Sequence, residues 1–269
     1  KFNGQKYWGY EGDTVASALL ANGVKLVARS FKYHRPRGIV GIGSEEPNAL
    51  LQVGTGAETT PNLRATEVAL IDGLVVESVN CWPSVKLDFG SINNKLARFL
   101  PPGFYYKTFM WPRKMWKIYE RLIRKAAGLG KCPDEVDPDR YGRFNTHCDV
   151  LIVGGGPTGI AAALEAGRTG ARVILAHEGS EMGGSLSYSQ QTIDGRPAKD
   201  WVNQREDELR GMEEVRLLVN STVFGYYDHN FLTINQQCKS GGPENNFYQP
   251  KQRVWRVRAG QVVIATGAI

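Results

Sequence analysis

Cysteine is scarce in this 269-residue chain. The four present, Cys81, Cys132, Cys148 and Cys238, are far apart, and no CxxC occurs. That spacing argues against a zinc or iron–sulfur site built from them. Four thiols are also too few to staple a chain of this size, which points to a reducing cytoplasm. Long apolar runs are missing as well. Nothing approaches the ~18–20 residues of a membrane span, and the opening KFNGQKYWGY has no signal-peptide apolar region. The initiator Met is absent, which predicts a trimmed N-terminus. No nucleic-acid reader motif accompanies the net charge of +6, although Lys and Arg cluster at 25–37 and 113–131. A solvated face or an acidic partner subunit accounts for such clusters without nucleic acid.

The apolar content of 42% and the length suit a globular protein of roughly two domains at ~100–200 residues each. Residues 2–10 alternate around Asn3-Gly4, predicting a short hairpin. Asp13 or Thr14 caps a helix over TVASALLAN, closed by Gly23. The glycine loop GIVGIGSEEPN (38–48) follows. Strands are expected at Leu50–Val53, Glu67–Leu70 and Leu74–Val79. Together these make a small α+β unit of β-grasp type over residues 1–80. Residues 81–146 are rich in aromatics and proline. They read as a connector with an amphipathic helix from about Lys114 to Ala127, its aromatic rings packed on neighbours. From 147 to 269 the pattern is α/β. Strands are expected at Val150–Val153, Arg172–Ala176 and Val215–Val219, with helices from Pro157 to Thr169 and from about Pro197 to Arg210. More strands flank Asp228–Asn230, and two final strands are separated by Ala259-Gly260.

CDVLIVGGGPTGIAAALEAGRTGARVILAHE (148–178) carries the strongest chemistry. Gly154, Gly156 and Gly159 form GxGxxG between an apolar strand and a helix, with a second strand behind, as a dinucleotide-binding turn requires. Gly154 makes the turn, Gly156 lets a pyrophosphate approach the backbone, and Gly159 lets the helix pack close. Pro157 suits the first helical turn, where no N–H partner is needed. The free N–H groups beyond it, with Gly155 and Thr158 alongside, face the diphosphate. The ribose-binding acid is expected roughly 20 residues on. His177 and Glu178 stand there, and Glu178 is the candidate. No Lys or Arg stands at 177–184 to partner a 2′-phosphate, so NAD or FAD fits better than NADP. Gly183, Gly184 and Ser185 follow the second strand, and Thr266 and Gly267 close the last one; these are expected along the remaining cofactor edges. None of the four histidines, His34, His147, His177 and His229, sits in a catalytic motif. No catalytic residue and no metal ligand is assigned.

Met182-Gly183-Gly184 and the late Ala265-Thr266-Gly267 strand resemble the pyridine nucleotide–disulfide oxidoreductase-like flavoproteins, whose domains continue past that strand. The chain therefore reads as a fragment of a longer polypeptide. The first unit resembles plant-type [2Fe–2S] ferredoxin domains. Laid on GIVGIGSEEPN, the ligand positions of that loop fall on Val40, Glu45 and Asn48, with the fourth on Thr66. All four lack a thiolate, so no such cluster is expected.

The block from Glu11 to Val53, PPGFYYKTFMWP, RKAAGLG and DPDRY before GGGPTG together resemble the α subunits of heterotetrameric bacterial sarcosine oxidases. Opine oxidase and hydrogen cyanide synthase subunits share the layout. The resemblance implies NAD at the glycine turn. It implies FAD and FMN on or with the β subunit, and γ and δ subunits as further partners. It also implies oxidation of an N-methyl amino acid at FAD to an imine, with hydrogen peroxide from oxygen and transfer of the imine carbon to tetrahydrofolate. FAD at the glycine turn, with electron transfer to a partner, is the alternative. A third reading is a non-catalytic assembly module.

Overall fold

The computed structural model describes residues 1–103, 111–126, 130, 132–238 and 250–267. It contains two compact units, Lys1–Pro138 and Asp139–Ile269.

In the first unit, helix α1 (Val15–Ala21) starts at a reciprocal cap: the Ser17 N–H donates to Thr14 Oγ1, and the Thr14 N–H donates to Ser17 Oγ. Gly23, at φ 75°, takes the left-handed conformation just past its end. Short strands β1 (Ala28–Arg29) and β2 (Pro36–Arg37) pair antiparallel. A three-stranded antiparallel sheet follows, with β3 (Leu50–Val53) between β4 (Thr60–Arg64) and β5 (Val76–Ser78). Val15, Leu19, Val27, Leu51 and Val76 are buried together in its core. The strand expected at Glu67–Leu70 is instead a turn. Its backbone serves the start of α1: Val15 and Ala16 donate to the Val68 and Ala65 carbonyls, and Leu70 donates to Asp13. The hairpin near Asn3-Gly4 shrinks to a single bridge between Phe2 and Gln5.

The connector differs from its expectation more. It contains α2 (Ile92–Lys95) and α3 (Trp116–Ala126). Trp82 is 69% exposed and Trp111 81%, and Phe89, Ile118 and Leu122 are exposed as well. The expected aromatics at 104–110 lie outside the described residues. Polar groups, not buried rings, hold residues 82–101. Arg29 donates to the Val85 and Lys86 carbonyls, Tyr33 to Leu100, Lys32 to Pro101, and Arg35 to Asn94. The basic run at 25–37 thus caps the connector's carbonyls. The Asp88 carboxylate, fully buried, accepts from the Trp82 and Gly90 N–H groups and bonds His34 Nδ1 at 2.8 Å.

In the second unit, β6 (Tyr141–Val153), α4 (Pro157–Arg168), β7 (Val173–Ala176), a short antiparallel pair of β8 (Thr192–Ile193) and β9 (Arg196–Pro197), α5 (Ala198–Arg210) and β10 (Val215–Leu218) are followed by β11 (Ser221–Tyr227), β12 (Phe231–Gln237) and β13 (Gln252–Ile264). The six-stranded sheet has the order β10-β7-β6-β13-β12-β11. The first four are mutually parallel, and β12 and β11 run as an antiparallel meander. Parallel strands need crossovers, which α4 and α5 supply. Ile152, Leu175, Ile160 and Val202 are buried in one core cluster; Leu151, Ile174, Leu232 and Val257 are buried in another. This alternation along β6 follows from side chains pointing to opposite faces of a strand.

Two expectations shift here. β6 begins at Tyr141, well before the buried run at Val150, so the compact units divide ahead of the boundary expected at 146/147. The two final strands are one continuous β13, because Gly260 passes close to β6: a Cβ there would lie 2.9 Å from the Asp149 carbonyl oxygen. Among the described residues no helix is long and apolar enough to cross a membrane.

Candidate dinucleotide-binding site

β6 ends at Val153, and the backbone turns at Gly154 with φ 107°. A Cβ on Gly154 would lie 2.3 Å from the Ala265 carbonyl oxygen, so both conformation and space demand glycine. A Cβ on Gly159 would lie 1.8 Å from the Gly154 carbonyl oxygen, which shows how tightly α4 is drawn onto the turn. Gly155 is equally enclosed, with Met182 Sδ 2.4 Å and His177 Cβ 2.9 Å from the position of a Cβ.

Gly156 is different. It caps α4, with Pro157 at the first turn, and a Cβ there would meet nothing within 4 Å. Open space therefore adjoins the N-terminus of a 12-residue helix, whose leading N–H groups and dipole favour an anion. Gly184, at φ 55°, backs onto Gly156; its own Cβ would come 3.2 Å from Gly156 Cα. The Gly183 N–H donates to the Gly155 carbonyl at 2.8 Å and fixes this second glycine pair against the first.

The structure thus brings Gly154, Gly155, Gly156, Pro157, Gly159, Gly183 and Gly184 together, with the Thr266 backbone beside Gly154. Thr158 in the first turn of α4, Ser185 after the glycine pair, and Thr266 and Gly267 after β13 are exposed, as is Glu178 just after β7. Sequence reasoning did not assign the part played by Met182, whose sulfur fills the space under Gly155. The apolar residue before a glycine pair was its only signal.

His177 is partly buried and turns toward the glycine turn. Its Nδ1 accepts the Gly155 N–H at 3.3 Å, so this nitrogen must be unprotonated for the contact to form. Burial pushes the imidazole below its ordinary value, against the opposing pull of the Glu178 charge and the Glu181 backbone. The folded protein therefore binds fewer protons than the unfolded chain once pH falls below 6.5, and stability declines from there down to the depressed folded value. Replacing His177 with Gln, which retains an acceptor, is expected to flatten this part of a Tm-against-pH profile. An unchanged profile would exclude His177 as its source.

The donor set of the first unit does not fit an iron–sulfur cluster. Val40, Glu45, Asn48 and Thr66 supply no thiolate, and no group of three or more potential metal ligands exists among the described residues.

A GxGxxG turn between two parallel strands, with helices crossing over, is the architecture of Rossmann-like α/β domains. Residues 149–246 match the family model described as FAD dependent oxidoreductase, and residues 1–81 match a 2Fe-2S iron-sulfur cluster binding domain. The chain is 53% identical over 268 residues to sarcosine oxidase subunit alpha of Rhizobium meliloti (strain 1021), covering 99% of this chain and 27% of that protein. It is 37% identical to the protein of the same name from Corynebacterium sp. (strain U-96), covering 99% and 23%. The chain is thus similar over nearly its whole length to part of sarcosine oxidase subunit alpha, and spans about a quarter of the length of the curated relatives it matches. Crystalline L-proline dehydrogenase from P. horikoshii shares the fold, with a TM-score of 0.58 at 20% identity, over 100% of this chain and 40% of that one.

Proposed function

We propose that the open mouth above Gly156 holds the diphosphate of an adenine dinucleotide. In this reading the chain is the nucleotide-holding part of a multi-subunit flavoprotein oxidase that acts on sarcosine or a related N-methyl amino acid. The overall reaction is sarcosine, oxygen and water giving glycine, formaldehyde and hydrogen peroxide; when tetrahydrofolate replaces water as the acceptor of the carbon, methylene-tetrahydrofolate replaces formaldehyde. One observation carries the binding half of the reading: of the glycines in this turn, Gly156 alone faces empty space, and it does so at a helix N-terminus. The identity to sarcosine oxidase subunit alpha supports the substrate class and the need for partner subunits; β, γ and δ subunits are those the family resemblance implies.

The Thr158 and Gly159 N–H groups would receive the phosphates, and Glu178 the ribose. The bound group supplies electron-accepting chemistry or a structural prop. The chain's own part is to orient the group and hold its charge. NAD is the occupant that the family resemblance favours. FAD is the second reading, favoured by the match of residues 149–246 to the FAD dependent oxidoreductase family. Nucleotides released from the denatured complex separate the two when wild type is compared with Gly156→Val. Selective loss of NAD supports the first reading, and selective loss of FAD the second. Loss of neither sinks the site.

A further inference from the structure

Glu46 is deeply buried in the first unit, with 1% of its surface exposed. It sits in the glycine loop at the positions of a ferredoxin cluster. Its Oε2 accepts the N–H groups of Val40 and Gly41, both at 2.7 Å. Its Oε1 accepts those of Asn48 at 2.7 Å and Ala49 at 3.0 Å. A carboxylate offers about four lone-pair sites, and all are taken. Val40 and Asn48 are two of the positions where the resemblance places cluster ligands. At the fourth, the Thr66 hydroxyl donates to the Gly43 carbonyl at 2.6 Å and closes the loop from outside.

A buried carboxylate is strongly unfavourable unless its charge is met. Here it is met by converging backbone amides, the arrangement that binds phosphates and iron–sulfur sulfides elsewhere. We propose that the loop at 38–49 is an anion-binding nest whose ligand is the chain's own Glu46 carboxylate. That carboxylate organises the loop's amides as an iron–sulfur cluster would, and so fills the cluster's place. The nest takes small carboxylates as a class, and the first unit works as a metal-free scaffold.

Burial works against the charge on Glu46, but the N–H groups of Gly41, Val40, Asn48 and Ala49 together outweigh it and hold the carboxyl below its ordinary value. No charged side chain contributes to that balance. The sign follows: the loop is fully held above pH 4.5 and loosens as pH falls through the depressed folded value.

Amide hydrogen exchange of the 38–49 segment in the full-length protein tests the proposal. Glu46→Gln keeps one acceptor oxygen and turns an NH2 group toward two donors, so exchange should accelerate about tenfold or more. In Glu46→Ala, added formate should restore protection and formamide should not. Wild-type exchange rates in Glu46→Gln would overturn the proposal, as would equal rescue by formate and formamide or rescue by neither. Should the alanine variant fail to fold, the wild type still decides. The Glu46 carboxyl carbon should remain ionised below pH 4.5 by NMR, and titration at or above that value overturns the assignment. Reconstitution with iron and sulfide should leave no stoichiometric cluster on the wild-type chain; a retained cluster would refute the filled nest.

Discussion

Replacing Gly156 with valine is expected to leave the fold intact and weaken dinucleotide binding by about 100-fold or more, roughly 3 kcal/mol. The backbone at Gly156 is extended, at φ −75° and ψ −176°, which any L-residue adopts. Nothing lies within 4 Å of the new Cβ, so that atom itself meets no clash. The same methyl groups would stand where a diphosphate must approach the amides at the start of α4. Isothermal titration reads the loss and a thermal melt reads the stability. A valine variant that binds as tightly as wild type would move the nucleotide elsewhere. Gly159→Ala, three residues on, should do the reverse. Its Cβ would lie 1.8 Å from backbone, so the helix must shift, with an expected destabilisation of about 3 kcal/mol or more. The two variants thus separate a glycine kept for ligand from one kept for packing.

The second large effect is expected at Asp88. Its side chain has no exposed surface and gathers three partners, the N–H groups of Trp82 and Gly90 and the His34 ring. The ring lies directly against Gly90, where a Cβ would come 2.3 Å from it. Asp88→Ala strands all three polar groups and should cost about 3–5 kcal/mol. Asp88→Asn keeps one oxygen for the two N–H groups and offers an NH2 to His34 Nδ1, and should cost about 1–2 kcal/mol. Denaturant melts of the two variants check this. Equal losses would mean that volume, not hydrogen bonding, holds residues 82–101 to the segment at 29–35.

The motif from Gly154 to Gly159 was legible because each glycine answers a local steric demand, and strand, turn and helix follow one another in sequence. α1 and its cap were legible for the same reason. The orientation of His177 was not: end-of-strand position suggests a ligand, and the contact of its ring with the Gly155 N–H joins residues 22 apart in sequence. Glu46 looked like one acid among a polar pair. Its neighbour Glu45 falls on a cluster-ligand position, and composition cannot say which of the two carboxylates turns inward. The connector misled because aromatic content implies burial only if a neighbour covers the rings. Here the ordering comes from Arg29, Lys32, Tyr33 and Arg35 bonding carbonyls, an interaction with no periodicity to read.

The long β13 has a further consequence. It is paired with β6 from Tyr141 to Val153, and the Ala265 N–H prolongs the ladder by donating to the Val153 carbonyl at 2.8 Å. The strand that delivers Thr266 and the strand that delivers Gly154 are therefore clamped side by side by their own ladder. A seat made this way has little ordering entropy left to lose. Occupancy should raise the melting temperature by simple mass action, in step with the logarithm of free nucleotide, without a lag from slow closure.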